Sequence, residues 1–168
     1  MADLVNAKTS NKSRKIQVKV NDYELRKLLA TFGKMDDIAK NDMKKISADL
    51  AERAAQFVTT WAYNAPNPAQ ADAVMKSLKI NKYDKAPNFT LGGQKRVTRS
   101  GTFAGNLLFG TEFGSNRLKQ FPPRSPKKGQ GNRGWFIFVA LQRFQPVIYR
   151  EWLEGYQKIV DVWKSRAA

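Results

Sequence analysis

Apolar and polar positions change period several times along the chain, and each change outlines an element. Ile16, Val18 and Val20 alternate with Gln17 and Lys19, which predicts a short strand. Tyr23 to Phe32 reads as a short helix that Gly33 ends. The longest regular pattern runs from Asp36 to Tyr63. There Ile38, Ile46, Leu50, Ala54, Phe57 and Trp61 recur at three-, four- or eight-residue spacings along one helical face. Lys40, Lys44, Lys45, Asp49, Glu52 and Arg53 take the other faces. Asp36 suits the N-cap of this helix, and Ala65-Pro66-Asn67-Pro68 stops it.

After those prolines the pattern predicts a helix over Ala69–Ser77 and a strand over Leu78–Tyr83. Phe89–Leu91 and Val97–Thr98 read as further short strands around a turn at Gly92-Gly93. Thr102–Phe109 is apolar and rich in small residues, which suits a strand, and Phe109–Ser115, FGTEFGS, reads as a glycine-bounded turn. Residues 116–134 show no periodicity and hold Pro122, Pro123 and Pro126 among six cations, a long basic loop. From Trp135 the chain turns aromatic and helical, with Pro146 expected to kink it or to start a second helix. Val147, Ile148, Trp152, Tyr156, Ile159, Val160 and Trp163 mark an amphipathic C-terminal helix. The first fifteen residues are polar and basic and read as a flexible arm. No internal repeat or second domain is visible. The expected architecture is α+β: one domain over 16–168, with a long N-terminal helix and a C-terminal helix packed on a small, mostly antiparallel sheet.

Composition narrows the chemistry. With 168 residues and 42% hydrophobic content, there is material for one core. There is no Cys and no His, which removes thiolate nucleophiles, disulfides, Cys/His zinc sites and the usual general base. The 14 acids are scattered, and their densest group, Asp36, Asp37 and Asp42, sits where caps and the helix dipole account for it. Ser100 and Ser115 have no His to activate them, and Arg96 and Arg99 read as a solvated basic turn. Neither LGG nor FGTEFGS matches a phosphate-binding glycine pattern in its strand–loop–helix setting. The chain therefore reads as a structural or binding protein without a catalytic site, metal or cofactor.

The net charge of +16 points to nucleic acid, anionic lipid or an acidic protein surface. A membrane is the weakest of the three: no apolar run nears the roughly 18–20 residues that cross a bilayer, and neither terminus carries a basic helix with a clean apolar face. The start lacks the apolar stretch of a signal peptide, so the expected site of synthesis and use is a cytoplasm. Trp135–Phe138, WFIF, beside the basic loop suits stacking on single-stranded bases. Its continuation through Val139, Ala140 and Leu141 suits burial better.

The order of these segments resembles the head–tail connector, or tail-completion, proteins of long-tailed bacteriophages (siphophages). The matching pieces are WAYNAP (Trp61–Pro66), ADAVMKSLKI (Ala71–Ile80), FGTEFGS, QFPPRSP (Gln120–Pro126) and the segment Arg133–Val160. Each is short, and the resemblance lies in their order over roughly residues 36–165. Asn67-Pro68-Ala69 stands where the family commonly has an Asp/Thr-Gly pair.

The resemblance implies a homo-oligomeric ring, six- or twelve-fold, that completes the tail or joins it to the DNA-filled head. Such a ring is a virion component assembled in the host cytoplasm. Its role as adaptor, stopper or tail terminator stays open. Its partners would be copies of itself, other neck or tail proteins and, transiently, genomic DNA in the channel. On that view Phe103, Leu107, Leu108, Phe109, Glu112 and Phe113 are the candidates for the subunit interface. Lys12, Arg14, Lys15, Arg117, Lys119, Arg124, Lys127, Lys128 and Arg133 are the candidates for contact with a partner ring or DNA. So large a charge on each copy requires acidic partners, DNA or counterions to offset repulsion within the ring. The alternative is a sequence-nonspecific nucleic-acid-binding protein, which the pI near 10.2 suits but for which no recognition module is visible.

Overall fold

The computed structural model describes residues 5–10, 14–20, 37–82, 87–115, 117–122 and 134–167. Strands β1 (Val5–Ser10), β2 (Lys15–Val20), β3 (Lys79–Asn81) and β4 (Asn88–Gly92) form one sheet in the order β1-β2-β4-β3, antiparallel throughout. Its helices are α1 (Asp37–Trp61), α2 (Pro68–Met75), α3 (Ala104–Phe113) and α4 (Ile137–Ala167), with a 3₁₀ turn over Ala62–Asn64. The α+β class holds. No helix among the described residues is long and apolar enough to cross a membrane.

The period-two pattern of the strands places one apolar face against the helices. Ile16, Val18, Phe89 and Leu91 are buried, while Lys15, Gln17 and Thr90 on the alternate positions keep contact with water. Asn88 is buried on that polar face, where its Oδ1 accepts from Gln17 Nε2 at 3.2 Å and Asn81 Nδ2 at 3.0 Å. Those two donors offset the cost of burying the amide.

Helix α1 lies across the apolar face. Its buried stripe is Met43, Leu50, Ala51, Ala54, Ala55 and Val58, whose alanines allow the helix close to its neighbours. The stripe read from the sequence lies partly to one side of it: Ile46, Phe57 and Trp61 are half-buried, and Ile38 is exposed. That flank faces α4, which runs antiparallel to α1. Phe57 stacks on Phe144 at 4.9 Å, Arg143 lies 4.7 Å over the Trp61 ring, and Arg53 pairs with Glu151. Asn67 caps α2 by accepting from the Gln70 N–H at 3.2 Å, and Pro68 occupies the first turn.

Several expectations need correction. Thr102–Phe109 is not a strand: Phe103 makes one isolated antiparallel bridge with Arg96, and from Ala104 the chain is helical. Most of FGTEFGS is the last turn of α3, with Gly114 as its C-cap, so it is not a free turn. Val97–Thr98 is not part of the sheet. Within the expected arm, Val5–Ser10 forms an edge strand paired with β2, Thr9 opposite Ile16 and Ala7 opposite Val18. Pro146 sits inside one continuous 31-residue α4 and starts no second helix. The expected helix over Tyr23–Phe32 and the Asp36 cap lie outside the described residues.

Candidate assembly surface

Helix α3 has no side-chain N-cap, so loop carbonyls take its first N–H groups. Ala104 donates to Lys95 O at 2.8 Å and Gly105 to Gly93 O at 2.9 Å. Gly93 in turn donates to Arg14 O at 3.0 Å, which fastens the β1–β2 turn onto the same spot. This layering depends on Gly105: a Cβ there would lie 2.7 Å from Arg14 Cβ and 2.8 Å from Arg14 O. The LGG segment thus serves close backbone packing.

The other end of α3 organises α4. Glu112 is fully buried, and its carboxylate lies at the start of α4. Oε2 accepts from the N–H groups of Phe136 (3.1 Å) and Ile137 (2.9 Å), and Oε1 accepts from Phe138 at 3.0 Å. The Trp135 N–H donates to Glu112 O at 2.8 Å. A side chain from a distant segment therefore fills the capping role at this helix end. Burial pushes the carboxyl up to about 7, against the pull of the four backbone donors over 135–138.

The segment after α3 is fixed as well. Ser115 Oγ accepts from the N–H groups of Arg117 and Leu118, both at 3.2 Å, and Ser115 N donates to Phe121 O at 2.7 Å. Phe121 is buried against Gly110, where a Cβ would meet its ring at 2.8 Å. Trp135 Nε1 donates to Pro122 O at 3.0 Å, so the chain leaves for residues 123–133 and returns from them beside the end of α3.

The anchored segments carry exposed cations beside both ends of α3. Between residues 85 and 150 the sequence has twelve Lys and Arg and a single acid, Glu112, whose charge is turned inward. Arg14, Lys15, Arg96, Arg99, Arg117 and Lys119 are all exposed. Arg14 donates to Asn106 Oδ1 on α3, and the Arg96 guanidinium lies 5.7 Å over the Phe103 ring.

Of the interface candidates, Phe103 is exposed. Leu107, Phe109 and Phe113 are half-buried, the two phenylalanines stacked at 6.3 Å and Phe113 lying 5.5 Å from Phe138. Leu108 and Glu112 leave the list, because both are fully buried within the chain's own fold. Of the cationic candidates, Arg14, Lys15, Arg117 and Lys119 reach the surface, and Lys12, Arg124, Lys127, Lys128 and Arg133 lie outside the described residues. In the WFIF run Phe136 is buried with Ile137, and Trp135 and Phe138 are half-buried, which favours packing over base stacking. The structural role of Glu112 was missed. Its one sequence signal is its isolation as an acid in a basic stretch, three residues after an apolar run.

Among the described residues no three acids, His or Cys gather in a way that could hold a metal ion. Comparison with protein-family models, curated proteins and solved structures gives no match.

Proposed function

We propose that this chain is a ring-forming structural subunit of the neck of a long-tailed bacteriophage, a head–tail connector or tail-completion protein. The observation that supports the reading is the set of exposed cations beside α3, among them Arg14, Arg96, Arg99, Arg117 and Lys119. They are carried by three anchored segments, and the one acid of the sequence between residues 85 and 150, Glu112, is buried in the fold. A surface of this kind suits acidic neighbours or passing DNA, because phosphate contacts from Lys and Arg carry no sequence preference. The segment order over residues 36–165 supports the same reading.

The genes flanking this one test it. A portal and capsid set upstream and a long tape-measure gene downstream are expected. Ribosomal or chromosomal housekeeping neighbours would overturn the proposal.

The same charge favours a second reading, a nonspecific nucleic-acid-binding protein. Fluorescence anisotropy of a labelled duplex separates the two. A connector is expected to bind at low salt and to lose most binding at about 150 mM, because each phosphate contact released costs affinity as salt rises. Sub-micromolar affinity retained at that salt would favour the binder.

A further inference from the structure

The segment from Arg96 to Phe103, which the sequence offers only as a basic turn, is a stapled hairpin. All of it belongs to the described stretch 87–115. Arg96 and Phe103 bridge at its base, and Val97 N donates to Thr102 O at 3.0 Å. At the tip Gly101 N donates to Thr98 O at 3.0 Å, with Gly101 at φ +79 to close the turn. Thr102 N also donates to Thr98 Oγ1 at 2.9 Å, a second tie across the tip. These bonds fix the backbone before any partner arrives, which lowers the ordering cost of a contact.

What the hairpin presents is a set of donors. Arg96, Thr98, Arg99 and Ser100 are exposed. The Arg96 guanidinium lies 5.7 Å over the Phe103 ring, and its Cδ and Nη1 pass 3.9 Å from where a Gly101 Cβ would stand. The hydroxyls of Thr98, Ser100 and Thr102 form a chain, with successive oxygens 2.9 and 3.2 Å apart. Three O–H protons meet only two such contacts, so at least one is left over to donate outside the chain. The sequence has no Asp or Glu between residues 85 and 111, so no carboxylate of this stretch competes for the donors.

Guanidinium and hydroxyl groups on a rigid turn are the groups that hold phosphate oxygens. An acidic protein would call for an apolar anchor as well, and the one aromatic side chain here, Phe103, has Arg96 across its ring. We infer that this hairpin is the element that meets DNA, with Arg96 and Arg99 on phosphates of a duplex backbone and a hydroxyl of the Thr98–Ser100–Thr102 chain as a further donor. The contact reads no sequence, because the phosphates are the same at every base pair. The inference rests on the reading of the cations beside α3 as facing DNA, and it names which of them touch it.

Fluorescence anisotropy of a labelled duplex with the full-length chain, from about 20 to about 150 mM salt, tests the contact. The double variant Arg96→Gln/Arg99→Gln is compared with Lys44→Gln/Lys158→Gln, which removes the same charge from exposed positions on α1 and α4. The hairpin pair is expected to weaken binding about tenfold or more at the lowest salt, and to flatten the slope of log K against log salt by about 2. Arg99→Gln alone, which leaves Arg96 on Phe103, is expected to flatten the slope by about 1. The control pair is expected to change affinity by less than about threefold, with the slope unchanged. Equal effects from the two pairs would overturn the hairpin contact and leave DNA binding standing. A wild type that binds no duplex at any salt would overturn both, and capture of polyglutamate instead would assign the cations to an acidic protein.

Discussion

Replacing Glu112 with alanine is expected to cost about 3–5 kcal/mol, the range seen when a buried polar partner is lost and its neighbours are left unpaired. Phe136, Ile137 and Phe138 would each keep an N–H with no acceptor, the first two buried and the third half-buried, at the helix end where such groups already lack intrahelical partners. Glu112→Gln separates geometry from charge. Its amide oxygen keeps two of the donors, while its NH₂ faces the third, so a smaller loss is expected.

The pH dependence is the sharper test. The folded carboxyl titrates at about 7, above the 4.5 of an exposed glutamate, so the folded state holds the proton more tightly than the unfolded chain. The contribution of Glu112 is therefore fully present below about pH 4.5. It falls as pH rises towards 7 by on the order of 3 kcal/mol, and is level above that. Urea melts of the wild type and Glu112→Gln across pH 4.5 to 8 measure it as a difference curve. The wild type is expected to lose stability relative to the variant as pH rises. A relative gain would show that the backbone donors and the helix dipole outweigh desolvation at this site.

Gly134→Ala is expected to be nearly as damaging, at about 2–4 kcal/mol, because two costs combine. Gly134 has φ +74, a conformation that side chains rarely adopt, and a Cβ there would lie 2.0 Å from Glu112 Oε1. That carboxylate is held by its donors and cannot swing aside without releasing them. Gly101 provides the control. Its φ is +79, but the nearest atom to an added Cβ is 3.9 Å away. Gly101→Ala should therefore show the backbone cost alone, about 1 kcal/mol. Equal losses in thermal melts of the two variants would mean that the carboxylate moves freely and that the capping account of Glu112 is wrong.

How far the fold could be read depended on how each segment finds its partners. Helix α1 was legible because its apolar spacing, the charged flanks and the proline stop all agree within one segment. Even so, the face drawn from the largest residues lies towards α4, while the deepest burial belongs to alanines and Met43. Alanine reports little in a hydrophobicity pattern, yet it permits the closest packing. Helix α3 was misread for a related reason. Ala104, Gly105, Leu108, Thr111 and Glu112 are its buried positions, a helical spacing, but Leu107 and Phe109 blur it into a continuous apolar run. Short apolar runs do not separate strand from helix by period. Strand β1 was hidden by its polar composition, since its pairing with β2 is a backbone matter.

By itself the sequence determined the class of the fold, the stop at Ala65 to Pro68, the surplus of cations and the absence of Cys and His. Those follow from local stereochemistry and counting, which need no neighbour. Only the tertiary structure decided that Glu112 caps a helix more than twenty residues away, and that the β1–β2 turn lies on α3 through glycines. Each of these is a contact between segments far apart in the chain, and such contacts exist only once the backbone has closed around them.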